Sequence, residues 1–349
     1  MTLSCSTKLL FFLILCCYCL MPGPAALTAV PHWTLQTSGT SVRLRGVSAV
    51  NARVAWASGA DSKVLRTTDG GSTWVQLKVT SDKVDFRDID AIDSQTAYVL
   101  SIGNGPASRI YKATDAGATW TLQFENEDPK AFFDAMSFWD ADHGIVIGDS
   151  IDGQFCILMT DNGGQFWRRV PANSLPPALE NEGAFAASGT NIAVVSGTHA
   201  WIGTGAAQKT RVLRTTDRGS SWKISETPLS AGSSAGIFSI AFRDAKHGII
   251  VGGDYKKETA ALDNLAVTSN GGVTWTLVKG LSGFRSVVAY VPGSKTVVAV
   301  GPTGADYSDD DGRHWKSIEG QGFDTLSFAP RTAVGWAAGA KGSIGRLTF

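Results

Sequence analysis

The sequence predicts an all-β protein built as a seven-bladed β-propeller, with six blades as the alternative. Three observations point there. Near copies of one eight-residue turn recur six times along the chain. Their closing tryptophans are 46, 47, 55, 53 and 40 residues apart. Each interval also holds four short strand-like runs. A β-rich repeat of about 45 residues is the signature of sheets arranged radially.

The copies are Thr67–Trp74 "TTDGGSTW", Ala113–Trp120 "ATDAGATW", Thr160–Trp167 "TDNGGQFW", Thr215–Trp222 "TTDRGSSW", Thr268–Trp275 "TSNGGVTW" and Ser308–Trp315 "SDDDGRHW". The pattern is Ser/Thr-x-Asp/Asn-x-Gly-x-x-Trp, with Ala113 the one departure at the first position. Asp69, Asp115, Asn162, Asp217, Asn270 and Asp310 can accept hydrogen bonds from the backbone of their own turn. The glycine two places later permits a positive φ. Trp74, Trp120, Trp167, Trp222, Trp275 and Trp315 then bury large rings between neighbouring sheets. These aspartates therefore read as turn residues, one turn per blade, rather than as catalytic acids.

Around the second copy the four runs are Arg87–Ile92, Ala97–Ile102, Arg109–Thr114 and Trp120–Glu125. The first is the inner strand. Its counterparts are Gly46–Val50, Asp134–Phe138, Ala184–Ala187, Phe238–Phe242, Ser286–Tyr290 and Thr325–Phe328, which makes seven inner strands against six turns. The ends of the chain account for the difference. The C-terminal unit supplies three strands and stops, while "HWTLQ" at His32–Gln36 matches "TWTLQ" at Thr119–Gln123. The N-terminal strand is thus expected to complete the last blade and to remove the free sheet edges.

Residues 1–29 read as a signal peptide and 30–349 as a single propeller domain. Lys8 precedes the apolar run Leu9–Leu20, then Pro22 and Pro24 break it and small residues follow to Ala29. Such a run is short for a membrane span. Cleavage after Ala29 is expected, with Thr28 or Ala26 as alternatives, and an uncleaved anchor is the competing reading. No lipid-attachment site is expected, since the residues before Cys16, Cys17 and Cys19 are not small. The mature protein would be secreted or periplasmic, without a stable membrane span. It would keep Cys156 alone, within the apolar "QFCILM", and so no internal disulfide. A thiol in such surroundings is an inert core residue. Lys+Arg and Asp+Glu both number 31, and that balance argues against nucleic acid as a partner. "DADHG" and "DAKHG", at Asp140–Gly144 and Asp244–Gly248, read as equivalent hairpin turns of blades three and five. No histidine has ligand spacing, so no metal is expected.

The repeated turn resembles the Asp-box, or BNR repeat, of sialidases and of many non-enzymatic propellers in the wider WD40/YVTN-like group. The phrasing of the blades resembles more closely the photosystem II stability and assembly factor family and its bacterial relatives. The stretches that carry this resemblance are Ala131–Asp149 "AFFDAMSFWDADHGIVIGD", Glu182–Gly189 "EGAFAASG" and Gly236–Tyr255 "GIFSIAFRDAKHGIIVGGDY". It spans nearly all of the chain after residue 29. It implies a propeller that binds other proteins as an assembly chaperone, with no reaction of its own.

A site is expected on the face opposite the repeated turns, where the inner strands begin. Arg45, Arg87 and Arg285 stand at those starts with Asp88, Asp134, Glu182 and Asp324, giving a ring of charge around the central opening. Three arginines can grip carboxylates bidentately. The competing reading pairs them with the neighbouring acids along a solvated channel. The longest loops on that face are read as Ser196–Thr210, with Trp201 exposed, and Gly252–Asn264, with Asp254, Tyr255, Lys256 and Lys257. Gly148–Gly153 adds Asp149 and Asp152.

The favoured reading is a non-catalytic binding or assembly propeller whose partner is a protein or an anionic glycan or carboxylate ligand. The alternative is a sialidase-like glycoside hydrolase, with Arg45, Arg87 and Arg285 as a triad and Tyr255, Glu182 and Asp134 as the reacting groups. Against it, the Phe-Arg-Ile-Pro signature is absent and six blades are usual in that group. Two carboxylates at a suitable separation would still serve glycosidase chemistry. An oxidoreductase is a third reading, but Gly203–Gln208 "GTGAAQ" lacks the strand–turn–helix setting of a dinucleotide fingerprint, and no cofactor is expected.

Overall fold

A computed structural model describes Met1 and residues 30–349; the expected signal peptide lies outside these described residues. The protein is a ring of seven four-stranded antiparallel sheets. The inner strands are Leu44–Ala49, Asp85–Ala91, Phe133–Phe138, Ile192–Val195, Ala235–Phe242, Val287–Tyr290 and Thr325–Phe328, in blades one to seven. Blade seven takes its outer strand from the N-terminus: His32–Gln36 pairs with Ile344–Thr348, in register from His32 opposite Thr348 to Gln36 opposite Ile344. Trp33 thereby becomes a seventh tryptophan of the repeated kind, tilted against Phe323 at 4.8 Å between ring centres.

The repeated turns have the expected chemistry. Thr67 Oγ1 accepts from Gly71 N at 2.9 Å and donates to Asp69 Oδ1 at 2.9 Å. Asp69 also accepts from Thr73 N and Thr73 Oγ1. These bonds, led by the Thr73 amide, hold its carboxyl down at about 2. The same set recurs around Asp217. Where Ala113 removes the first hydroxyl, Asp115 keeps its bonds to Thr119. The glycine at the fifth position is left-handed in all six turns, from Gly71 at φ 89° to Gly219 at φ 77°. Asp140 and Asp244 each accept from the two backbone amides that follow in their own hairpin and from the histidine ring there.

Apolar clusters fill the wedges between adjacent blades. Cys156 lies in one of them, buried, and burial pushes its thiol up to about 11. Neighbouring inner strands are joined near the axis by side chains. Ser48 Oγ accepts from Ala91 N at 3.0 Å, Asp88 from Met136 N at 2.7 Å and Asp90 from Phe138 N at 3.0 Å. Ser239 Oγ accepts from Val288 N, and Ser327 Oγ from Ala49 N, the link between blades seven and one. Among the described residues no helix is long and apolar enough to cross a membrane.

One inner strand departs from expectation. In blade four it is Ile192–Val195, not Ala184–Ala187. The run "AFAA" is apolar because it is packed into the central opening, not because it pairs in a sheet.

The closing strand yields a clear contrast. Trp33→Ala should lower stability by about 2–3 kcal/mol, read by thermal denaturation, since it empties the wedge against Phe323. Leu35→Ala, on the exposed side of the same strand, should stay within about 0.5 kcal/mol.

Candidate functional site

The site begins with a break in strand register. In four blades the inner strand carries one extra residue opposite its partner: Arg45 between Leu44 and Gly46, Arg87 between Phe86 and Asp88, Asp134 between Phe133 and Ala135, and Phe238 between Ile237 and Ser239. A β-bulge re-aims the side chain of its extra residue. All four of these side chains line one central cavity of about 570 Å³.

Residues 183–189 form the floor of that cavity, as a strap that touches every blade. Ala187 O accepts from Arg45 Nη1 at 3.3 Å (blade one), and Ala186 O from Arg87 Nη1 at 2.8 Å (blade two). The amides of Ala186 and Ala184 donate to Asp134 and Asp149 of blade three. Gly183 and Gly205 exchange backbone hydrogen bonds in blade four. The Phe185 ring stacks on Phe238 of blade five at 4.0 Å. Ser188 Oγ donates to Ser286 O in blade six at 2.8 Å, and Thr325 Oγ1 of blade seven donates to Ser188 O at 3.2 Å.

The walls are chemically divided. Arg43, Arg45 and Arg87 stand on blades one and two, and Asp134 and Asp149 on blade three. Phe185, Phe238, Phe284 and Tyr255 form an aromatic wall, with Phe284 edge-on to Phe238 at 4.7 Å. Arg43 grips Asp324 with two bonds of 2.7 Å. Arg87 pairs with Asp85 at 2.7 Å. Arg45 has no carboxylate partner among the described residues and bonds only to Ala187 O. Burial, then the nearby Arg87 and Arg43, pull its guanidinium down to about 10 despite the opposing field of Asp324. On the other side, burial is the main cause that raises Asp134, with the field of Asp149 adding to it. Burial also lifts Asp149, to about 6.

The sequence expectations divide accordingly. Arg45, Arg87, Asp134, Asp149, Asp324 and Tyr255 meet at the cavity. Arg285 does not. It is 0% exposed and held by Asp306, Ser282 Oγ, Thr303 Oγ1 and Phe284 O. In blade six there is no bulge, so side-chain parity is reversed: Phe284 and Ser286 face the opening and Arg285 turns into the blade. The signal was Asp306, which stands two residues before the turn serine, where other blades carry Leu65, Tyr111, Leu158 or Leu213. An acid at that core position demands a buried cation.

Glu182 is also structural. It takes Arg211 through both oxygens, Thr204 Oγ1 at 2.6 Å and Leu179 N at 2.8 Å. Asp88 is buried as the acceptor of Met136 N. Asp254 accepts from Lys256 N in its own loop and stays outside the cavity lining. Trp201 is 1% exposed, because 199–203 is the second strand of blade four and not part of a loop. Its ring stacks on Phe242 at 3.6 Å and donates Nε1–H to Gly271 O. Trp56, Tyr98 and Trp336 hold the same place in "VAWAS", "TAYVL" and "VGWAA", a recurrence that marks Trp201 as core. The proposed sialidase-like set is therefore not assembled: Arg285 and Glu182 are both consumed by buried ion pairs. Arg43 and the strap were the parts not foreseen.

No family model matches the chain, nor does any curated protein. Solved structures do. YCF48 bound to D1 peptide is similar with a TM-score of 0.65 at 15% identity, over 94% of this chain and 100% of that one. YCF48 from Cyanidioschyzon merolae is similar with a TM-score of 0.64 at 17% identity, over 90% of this chain and 98% of that one. At such identities the likeness shows the shared seven-bladed fold.

Two outcomes separate the cavity from its frame. Arg285→Ala should cost about 3–5 kcal/mol by leaving Asp306 buried and unpaired, whereas Arg45→Ala should change stability by less than about 1 kcal/mol; denaturant unfolding reads both. Asp149, lifted to about 6 from an unfolded value of about 3.9, binds its proton more tightly in the folded state. Its contribution to stability is therefore greatest below about pH 4 and is lost as the pH rises through 6. Asp149→Asn should accordingly raise the melting temperature at pH 7.5, with the gain vanishing as the pH falls towards 4.

Proposed function

We propose that this protein is a non-catalytic, protein-binding propeller of the secreted or periplasmic space, and that its central cavity takes a carboxylate-bearing segment of a partner. The observation that carries the reading is Arg45, a half-buried guanidinium in the cavity with no carboxylate of its own. A charged group so placed gains most from an incoming anion, because the surrounding protein screens the attraction less than water does. Phe185, Phe238 and Tyr255 offer an apolar wall for the rest of the segment, Tyr255 being 43% exposed at the rim. The strap closes the floor, so the opening is a cup rather than a channel.

Other support is of a different kind. The blade phrasing resembles assembly factors that bind proteins, and the fold is similar to that of YCF48, solved with a peptide bound. The apolar run after Lys8, followed by small residues, supports export. An anionic glycan would meet the same arginine, and the experiment below tells it from a protein.

A photoreactive amino acid in place of Tyr255 would report what enters the cup. Crosslinking in the native envelope fraction should trap a discrete protein, and Arg45→Gln should weaken the capture about tenfold, as expected for one charge-assisted contact. Capture indifferent to Arg45 would refute the reading. Arg45-dependent binding to an acidic-glycan array, with no protein trapped, would replace the protein by a glycan.

A further inference from the structure

Asp134 and Asp149 line the same cup as Arg45, two blades round the ring, and take no part in holding the carboxylate. Neither is in salt-bridge contact with a cation among the described residues. Among the described residues their donors are the strap amides of Ala186 and Ala184. Asp134 is 2% exposed and lines the cavity, yet its Oδ2 has no hydrogen-bond partner. Buried polar oxygens are almost always paired, and one that is not marks a place where a donor is missing. The field of Arg87 reaches Asp134, but its guanidinium is held by Asp85 and Ala186 O. The acid pair is thus left without the counter-charge that buried carboxylates require.

The same cup therefore holds an unpartnered cation on blade one and an unpartnered acid pair on blade three, kept apart by the strap. Arg45 and Asp134 cannot move to one another, since they sit on bulges of different inner strands, and Asp149 is fixed on the second strand of blade three. We infer that Asp134 and Asp149 form a subsite for a basic side chain, so that the cup recognises a partner segment carrying an ammonium or guanidinium group alongside the carboxylate held by Arg45. The aliphatic stem of a lysine or arginine suits the stacked Phe185–Phe238 surface on the cavity wall, as such stems commonly cover apolar surface. The ammonium donates to Asp134 Oδ2, and the strap amides keep their bonds to the two acids. This inference rests on the proposed carboxylate site at Arg45 and adds the second charge to it.

Small probes test the two charges separately. ε-Aminocaproate carries both groups, caproate only the acid and hexylamine only the base; shorter and longer ω-amino acids vary the span. Ligand-detected NMR titration of the whole chain gives each affinity. At the best chain length the zwitterion should bind about tenfold more tightly than the matching fatty acid. The ratio should fall to near one in Asp134→Asn/Asp149→Asn, whose amides can still accept from the strap. Arg45→Gln should instead abolish the preference of the protein for ε-aminocaproate over hexylamine. A ratio near one at every chain length in the unaltered protein, with caproate binding still dependent on Arg45, overturns the basic subsite and leaves the carboxylate site standing. A preference that survives the double substitution also overturns it. If caproate does not bind at all, the carboxylate site fails; hexylamine binding lost on the double substitution would then keep the acid pair as a cation site alone, and no binding of any probe would overturn both.

Discussion

Everything in this ring depends on what happens at the inner edge of each sheet. A strand at a sheet edge presents backbone N–H groups that no neighbouring strand accepts, and here seven such edges converge on one axis. The sequence meets them with short polar side chains from the adjacent inner strand: Ser48, Asp88, Asp90, Ser239 and Ser327 each accept from a backbone amide of the next blade. Blades are therefore bonded to one another at the axis and packed against one another farther out. A serine fits this task without adding charge. Asp88 does the same at the cost of burying a carboxyl, and burial raises it well above the usual carboxylate range.

The cup follows from the same constraint. Because the inner strands are fixed by their neighbours, a bulge cannot be absorbed by sliding the strand. It expresses itself as a side chain pushed into the opening, and four blades use it in that way. The strap then converts an open channel into a cup by offering its carbonyls to the arginines and its amides to the acids. Charges of opposite sign are thus held at a distance by a stretch of backbone that satisfies part of each. This separation leaves both available to a ligand; in a simple channel they would neutralise one another.

The fold was legible because its signals repeat. Six turns with one chemical logic, and a seventh tryptophan in Trp33 at the opposite end of the chain, leave little freedom in blade number or closure. The site was legible where it follows the repeat and obscure where it breaks it. Arg45, Arg87 and Asp134 precede the same small or acidic position of their strands, so their common direction could be anticipated. Arg285 stands at the matching position but lacks the bulge, and a single reversal of parity sends it into the core with Asp306. Trp201 was misplaced because glycines on both sides of it suggest a loop, although its recurrence in step with Trp56 and Trp336 suggests a strand. The strap was hidden for a simpler reason: an apolar run reads alike whether it is buried in a sheet or in a channel.

The outer strand of blade seven sets a limit on the order of events when the chain folds. His32 lies opposite Thr348, so the first strand to leave the ribosome must wait for the last. Six blades can form from neighbours in sequence, each closing a short loop, but the seventh requires His32–Gln36 to meet Ile344–Thr348 across the whole propeller sequence, and the loop entropy of that step falls on a single strand pair. Until it happens, Ile344–Thr348 is an open sheet edge on a nearly complete ring. A chain shortened by a few residues at its C-terminus would remain an arc with one sticky side, prone to pair with a second arc. The clasp that makes the native ring so closed is also the point at which two incomplete copies could be stitched into one another.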